Sequence, residues 1–237
     1  MPLEIRPTTL EDLPALSRFL SRGFGLPEDA EAVAPDVLAW KYLEPLPRGL
    51  GCSSLVALDA AGAPAGHLAF TRTFWRQAGC DQRVSTLHMI DWLAGPDHRG
   101  VGSQLMRRAH ACAQTQYGLG GSEVGRSVIF RAGYRPRTPV PVFRRILRPS
   151  WRLRDSDPNR ARRFLRVGRE ALRVLVDRPS KGNPAVSLHQ VERFGPETDR
   201  LVDRVEPPLL FSDRSADRLN GLLSYPRGGP VGHRVER

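Results

Sequence analysis

The sequence has few lysines, although it is strongly basic. Lys41 and Lys181 are the only lysines, so arginine supplies nearly all of the formal net charge of +11. Arginine bias alone does not indicate nucleic-acid binding, and no groove-reading motif accompanies it. We therefore expect nucleic acid not to be the partner. The positive field would instead steer a small anionic ligand toward the protein.

Cysteines and long apolar runs are also scarce. Cys52, Cys80 and Cys112 are odd in number and scattered, which excludes a disulfide framework and gives no pair with metal-ligand spacing. We expect reduced, packed thiols and no metal site. No stretch approaches the ~20 apolar residues of a membrane-spanning helix. The N-terminus alternates like a strand and shows no signal pattern, so the sequence predicts a cytoplasmic protein.

Apolar periodicity predicts a mixed α/β domain over residues 1–149, with a mostly antiparallel sheet flanked by helices. Residues 3–6 alternate as a strand, and Thr9 with Asp12 marks the start of a helix that Gly23 can end. A short helix over 35–42 precedes three strands, at 54–58, 66–75 and 84–94. The remaining predicted elements are a helix at 102–113, a strand or turn at 117–121, a helix from 122 to 133 and a strand at 140–147.

The composition changes after residue 149. Residues 150–184 hold an arginine-rich helix at 157–176, which keeps an apolar stripe, followed by a linker. That helix is interpreted as docked by its stripe, or as a contact for a protein partner or an anionic membrane surface. Residues 185–237 faintly repeat the opening: the stretch from 186 resembles residues 3–19, and 219–226 resembles 38–47. The tail is either a partial second unit or a poorly ordered segment with chance similarity.

The step from the third strand of the meander into the next helix has the features of an anion site. The strand runs into Pro-Asp-His-Arg-Gly-Val-Gly at 96–102. Glycines let backbone N–H groups turn toward a phosphate, and the helix N-terminus adds partial positive charge. An arginine adds a charge-assisted contact. The predicted phosphate-binding residues are Arg99, Gly100, Val101, Gly102, Ser103 and Gln104.

This loop resembles the pyrophosphate loop of the GNAT superfamily of acyl-CoA N-acyltransferases, (Arg/Gln)-x-x-Gly-x-(Gly/Ala). Gly100 and Gly102 match its end, or Arg99 and Gly100 match the common Arg-Gly opening. The resemblance covers residues 3–147. It implies a GNAT-like fold, acetyl-CoA or another acyl-CoA as co-substrate and a small primary amine as acceptor. The Trp-Lys-Tyr element at 40–42 is similar to a subgroup associated with bacterial polysaccharide gene clusters, which suggests an amino sugar; a homodimer is left open.

A second GNAT motif, Asn-x-x-Ala-x-x-Leu-Tyr-x-x-x-Gly-Phe, resembles residues 122–134. Gly133 and Tyr134 fit its end. Ser122 replaces the asparagine that often contacts the cofactor. Ile129 replaces the tyrosine that often acts as general acid on the departing CoA thiolate. Because isoleucine has no proton to donate, the resemblance implies either another proton source or weak catalysis.

Two carboxylates are candidate catalytic residues. An attacking amine must be neutral, so the transfer needs a base. On the GNAT analogy, Asp91 on the central strand is the base or the amine anchor, and Glu123 is a second candidate whose other interpretation is a favourable helix-dipole interaction. His88 lies three residues before Asp91, so strict alternation places the two on opposite faces of the strand. We expect His88 to be structural.

The thioester carbonyl needs a hydrogen-bond donor where charge develops. The resemblance implies that the backbone N–H of Leu93 or Ala94 supplies it. Trp40, Tyr42 and Trp92 either line the substrate cleft or belong to the core.

Three functions stay open at this point. The favoured one is an acetyl-CoA-dependent N-acyltransferase. The second is a catalytically degenerate GNAT-like protein that binds acyl-CoA, or regulates, without turnover. The third, a basic nucleic-acid-binding protein, is motivated by charge alone.

Overall fold

A computed structural model of the chain describes residues 3–44, 52–77, 82–136, 160–176, 187–204, 210–226 and 232–236. Residues 1–135 and 190–234 form one compact unit, and residues 136–189 with 235–237 form another. The sequence had placed the end of the first domain at residue 149. That boundary lies outside the described residues and stays a prediction, while part of the tail pairs with the main sheet.

The larger unit is built on a six-stranded sheet. Its first five strands lie in chain order: β1 (Glu4–Pro7), β2 (Cys52–Leu58), β3 (Pro64–Gln77), β4 (Arg83–Ala94) and β5 (Thr115–Gly118). Successive pairs are antiparallel from β1 to β4, whereas β5 is parallel to β4. The predicted fold class, a mixed and mostly antiparallel sheet flanked by helices, is confirmed.

Three further strands come from the tail: β6 (Ser187–Val191), β7 (Leu210–Ser212) and β8 (Gly232–Glu236). β7 pairs antiparallel with the far end of β3, while β6 and β8 form a separate two-stranded sheet. A partial second GNAT-like unit stays a prediction.

The described helices are α1 (Leu13–Phe24), α2 (Pro35–Tyr42), α3 (Val101–His110), α4 (Glu123–Arg131), α5 (Arg160–Val176), α6 (Pro196–Asp203) and α7 (Ala216–Leu223), with 3-10 turns at Leu10–Asp12 and Glu31–Val33. The helices predicted between β1 and residue 133 are therefore present. Within the described ranges, no helix combines the length and the apolar character needed to span a membrane.

The region before α1 has the predicted capping box, but the helix ends later than predicted. Thr9 donates its backbone N–H to the Asp12 carboxylate at 2.8 Å, as the predicted capping box requires. The helix does not end at Gly23 as expected; it continues to Phe24, and Gly25 ends it with a φ of 63°. Gly23 has a packing role instead, because a Cβ there would lie 2.1 Å from the Leu93 side chain of β4.

Two apolar clusters lie on opposite faces of the sheet, since neighbouring residues of β3 contribute to different clusters. Leu68 and Phe70 join the α3 face, and Ala69 joins the α1–α2 face. Each fully buried leucine in these clusters contributes about 1.5–3 kcal/mol of burial energy. The two clusters thus cover opposite faces of the sheet.

The smaller unit contributes α5, the arginine-rich helix. Phe164, Leu165 and Leu172 are exposed in it. Its role as a partner or membrane contact stays a prediction. The strand predicted at 140–147 lies outside the described residues.

Candidate functional site

β4 bulges at Asp91, where the candidate catalytic carboxylate lies. His67 of β3 pairs with Leu93 of β4, whereas Ala69 pairs with Ile90. One residue of β3 therefore lies opposite two residues of β4, Asp91 and Trp92. Asp91 takes a φ of 47°, the only positive φ of a non-glycine residue in the described part of the chain. A left-handed conformation costs about 1–2 kcal/mol for an L-residue. Such strained positions, and bulges in particular, concentrate at functional sites.

The bulge changes which face Asp91 occupies. Leu87 and Met89 pack under α3, so His88 between them faces the α1–α2 side. Asp91 also meets α2, through Tyr42. The expectation that His88 and Asp91 lie on opposite faces is wrong, because the extra residue at the bulge breaks the alternation.

Two donors from the end of α2 hold the Asp91 carboxylate. Lys41 Nζ lies 2.5 Å from Asp91 Oδ2, and the Tyr42 hydroxyl donates to the same oxygen at 2.7 Å. No described residue donates to Oδ1. Burial acts to raise the pKa of Asp91, but the charge of Lys41 and the two hydrogen bonds outweigh it, so the pKa is lowered. The group is therefore an ionised carboxylate at neutral pH with one oxygen left for another donor.

His67 supports the bulge from β3. Its Nδ1 lies 2.9 Å from the backbone carbonyl oxygen of Asp91. A carbonyl only accepts, so Nδ1 carries the proton. Burial lowers the pKa of His67 to about 4, which keeps the ring neutral at pH 7. Its Nε2 is buried and meets no hydrogen-bond partner among the described residues. His67 thus braces the strained residue.

Sequence reasoning missed the pairing of Lys41 with Asp91, although the Trp-Lys-Tyr element had been noticed. The available signal was a rare lysine between two aromatic residues at a helix end. Tyr42 belongs to the core, since its side chain is buried, and its hydroxyl contacts Asp91; its part in a substrate cleft stays a prediction. Trp40 is half-buried on the same turn of α2.

The glycine-rich loop leads from β4 into α3 with free amides. Gly100 takes a φ of 85° and precedes α3, with no side-chain cap on the helix. The N–H of Val101 donates to the His98 carbonyl at 3.3 Å, whereas the N–H groups of Gly102 and Ser103 donate to no carbonyl of the described residues. This is the arrangement that binds anions at helix N-termini.

Trp92 joins this loop to the end of β4. A Cβ at Gly102 would lie 3.1 Å from its ring, and one at Gly125 of α4 would lie 3.9 Å away. The end of β4 and the starts of α3 and α4 therefore converge on one indole. Its Nε1 is buried and has no partner within the described ranges.

The other predicted binding residues surround this point. Arg99, Gly100 and Ser103 are exposed, Val101 and Gly102 are buried, and Gln104 is half-buried. On β4, Leu93 is half-buried and Ala94 is exposed. These residues are contiguous along the strand and the loop, but their contacts with a cofactor stay predictions.

The predicted residues of α4 have different environments. Ser122 caps the helix, and its Oγ accepts from the Gly125 N–H at 3.1 Å. Glu123 is exposed in the first turn, with no hydrogen bond or ion pair to a described residue. Ile129 packs half-buried against the α3-face core. The structure thus favours the helix-start interpretation of Glu123, and its catalytic role stays a prediction.

Tyr134, at the phenylalanine position of the second motif, was not predicted to make polar contacts. Its hydroxyl donates to Gln116 Oε1 of β5 and lies 3.1 Å from His110 Nε2 of α3. It also lies 3.3 Å from the Met89 sulfur of β4. Burial raises the pKa of Tyr134 to about 12. The neutral hydroxyl therefore ties β4, β5 and the C-terminal half of α3 together.

Comparisons with solved structures find acetyltransferases. An acetyltransferase of Trypanosoma brucei matches with 16% sequence identity and a TM-score of 0.47. The match covers 60% of this chain and 99% of that chain. A GCN5-related N-acetyltransferase of Ralstonia eutropha matches with 22% identity, 60% and 99% coverage and a TM-score of 0.44. Glucosamine-6-phosphate N-acetyltransferase of Arabidopsis thaliana matches with 11% identity, 61% and 99% coverage and a TM-score of 0.47.

At these identities and TM-scores, the likeness does not extend to the activity or the substrate of this chain. No protein-family model matches it, and no curated protein does.

Proposed function

We propose that the protein is an acyl-CoA-dependent N-acyltransferase of the GNAT type, which transfers an acetyl group to a small primary amine. One juxtaposition carries the proposal: an ionised carboxylate on a strained bulge of β4, followed along the chain by a glycine loop whose amides remain free at the start of α3. The carboxylate can bind an ammonium group, and the free amides can bind a pyrophosphate.

The loop would hold the CoA pyrophosphate over residues 99–104. The N–H groups of Gly102 and Ser103 would donate to phosphate oxygens, and Arg99 would add charge from the exposed rim. The acyl thioester would then lie along the end of β4, where the backbone N–H of Leu93 or Ala94 polarises its carbonyl. This chemistry needs no metal.

Asp91 would receive the amine. A primary amine arrives as an ammonium, and Asp91 Oδ1 can accept one of its hydrogen bonds. Because its pKa is lowered, Asp91 is better suited to anchoring the ammonium than to removing its proton. The neutral fraction of the amine attacks the thioester carbonyl, a C–N bond forms, and the C–S bond breaks. The amine proton passes to water or to the carboxylate.

The CoA thiolate would leave without a tyrosine. Ile129 occupies the position of the usual general acid and lies half-buried in the core. A thiol pKa of about 8.5 lets a thiolate leave into water, so turnover is expected to be slow but present. The same residue favours the second candidate function, a protein that binds acyl-CoA without turnover.

Two measurements test the proposal in order. Calorimetry with acetyl-CoA should show binding, and failure to bind would remove both the transferase and the acyl-CoA-binding function. Thiol release should then be followed over a panel of primary amines that includes amino sugars, because the Trp-Lys-Tyr element suggests that acceptor. Binding without release on any amine would leave the non-catalytic function.

Replacing the missing acid should accelerate the reaction. We expect Ile129→Tyr to raise the rate on a suitable amine about tenfold or more, since general-acid help is typically worth ~10²–10⁴-fold. Ile129→Phe is the matched control, because it adds the same ring to the half-buried position without the hydroxyl. Thiol release at saturating acetyl-CoA measures both. Equal acceleration by the two variants would show that packing, and not proton donation, limits the rate.

A further inference from the structure

The tail of the chain reaches the same face of the sheet as Asp91. β7 pairs with residues 75–77 of β3, and the Asp213 N–H donates to the Phe74 carbonyl at 2.9 Å. These bonds fix the start of the segment Leu210–Pro226, which contains β7 and α7. The segment is therefore part of the compact unit that holds the candidate site.

α7 lies toward β4 and β5 on the Asp91 side. Arg218 of α7 is only 9% exposed, and its charge acts on both His88 of β4 and Tyr117 of β5. Those two rings stack with centroids 4.5 Å apart. His88 shares its face with Asp91, so the helix borders the side from which an amine would approach.

The residues after α7 hold α2 at both ends. The Tyr225 hydroxyl donates to the Glu31 carboxylate at 2.5 Å, in the 3-10 turn that precedes α2. The Tyr225 ring meets the Trp40 ring edge-on, with centroids 5.3 Å apart, in the last turn of α2. Trp40 Nε1 also donates to Ser224 Oγ at 3.1 Å. The next residue along α2 is Lys41, which holds Asp91.

We propose that the segment Leu210–Pro226 forms the outer part of the acceptor side of the site, and that Tyr225 is a positioning residue. It keeps α2 in the register that brings Lys41 and Tyr42 onto Asp91 Oδ2, which leaves Oδ1 for the acceptor. The expected change in the acceptor KM rests on the proposed transfer reaction. The expected change in the contacts of Asp91 can be measured without turnover.

Three variants of the full chain test it. Tyr225→Ala removes the ring and the hydroxyl, and Tyr225→Phe keeps the ring but removes the hydroxyl that donates to Glu31. Leu222→Ala is the control, because this α7 side chain is 45% exposed and makes neither contact. We expect Tyr225→Ala to raise KM for the acceptor about tenfold with a Kd for acetyl-CoA within about twofold of wild type. Tyr225→Phe should have a smaller effect, and Leu222→Ala none.

A second readout separates positioning from general stability. Lys41 lowers the pKa of Asp91. If Tyr225→Ala lets Lys41 move away, the pKa of Asp91 should rise, and the acidic limb of the kcat/KM profile should move to higher pH. NMR titration of the Asp91 carboxyl carbon follows the same change without any turnover, so it remains informative if no amine is acetylated.

The outcomes are distinct. A raised Asp91 pKa in Tyr225→Ala, with an unchanged Kd for acetyl-CoA, supports the positioning role even if the transfer reaction is never found. An Asp91 titration and an acceptor KM that match wild type would overturn it. So would a parallel loss of acetyl-CoA binding and thermal stability in Tyr225→Ala with no separate movement of the titration.

Discussion

Replacing Gly100 and Gly102 together by valine is expected to abolish acetyl-CoA binding while the protein stays folded. A valine at 100 would have to adopt a φ of 85°, which costs about 1–2 kcal/mol and distorts the turn that aims the amides. A Cβ at 102 would press on the Trp92 ring at 3.1 Å. Each hydrogen bond from a free amide to a phosphate is worth about 1.5–3 kcal/mol, so losing two lowers the affinity a hundredfold or more.

Gly62→Val is the matched control for this pair. Gly62 has a φ of 77° in the turn between β2 and β3, and, like Gly100, it has nothing within 4 Å of an added Cβ. The strain cost is therefore similar, but Gly62 lies outside the loop, in a turn where its N–H already donates to the Asp59 carbonyl at 3.0 Å. Calorimetry and thermal unfolding should show comparable loss of stability at Gly62 and Gly100, with acetyl-CoA affinity lost only at the loop. Unchanged affinity in the double variant would show that the pyrophosphate binds elsewhere.

The order of elements could be predicted from the sequence because it depends on local periodicity. The meander and the helix after residue 100 depend on apolar spacing and on glycine, both of which are visible in a single chain. The free amides at Gly102 follow from the same local pattern. The glycine loop is thus the part of the candidate site whose local geometry the sequence predicted best, and its contact with a phosphate stays a prediction.

The contacts of Asp91 could not be predicted in the same way. Its partners on α2 are fifty residues away in the chain, and no local pattern pairs them. The bulge was also hidden, because alternation of apolar and polar residues gives no sign of one inserted residue. That single irregularity put His88 and Asp91 on one face.

The tail shows a third limit. Its faint repeat of the opening left open a partial second unit or chance similarity, and it gave no sign that β7 joins the main sheet or that Tyr225 contacts α2. Strand pairing at an exposed edge is decided by backbone hydrogen bonds, which depend little on side-chain identity. The sequence therefore predicted neither the pairing of β7 with β3 nor the contact of Tyr225 with α2.

Asp91→Asn is expected to have the largest effect on turnover. The change keeps the shape of the side chain but removes the charge that Lys41 and an incoming ammonium need. At subsaturating concentrations of a good acceptor, thiol release should fall by about 10²–10⁴-fold, whether the change removes an ammonium anchor worth roughly 2–5 kcal/mol or an acid–base group, with acetyl-CoA affinity unchanged. Asp59→Asn is the control, because Asp59 serves only the β2–β3 turn among the described residues, through its Oδ1.

The distribution of that loss between kcat and KM distinguishes the two roles of Asp91. An anchor that binds the ammonium equally in the ground state and the transition state would raise KM for the acceptor and leave kcat nearly unchanged, whereas a base would lower kcat. The lowered pKa of Asp91 favours the anchor, because a weak base gains little from proton transfer. Activity should be present above that pKa and fall as the pH drops through it. A rate untouched by Asp91→Asn would remove Asp91 from the mechanism, and a fast wild-type rate eliminated by it would support Asp91 as the base and contradict slow turnover.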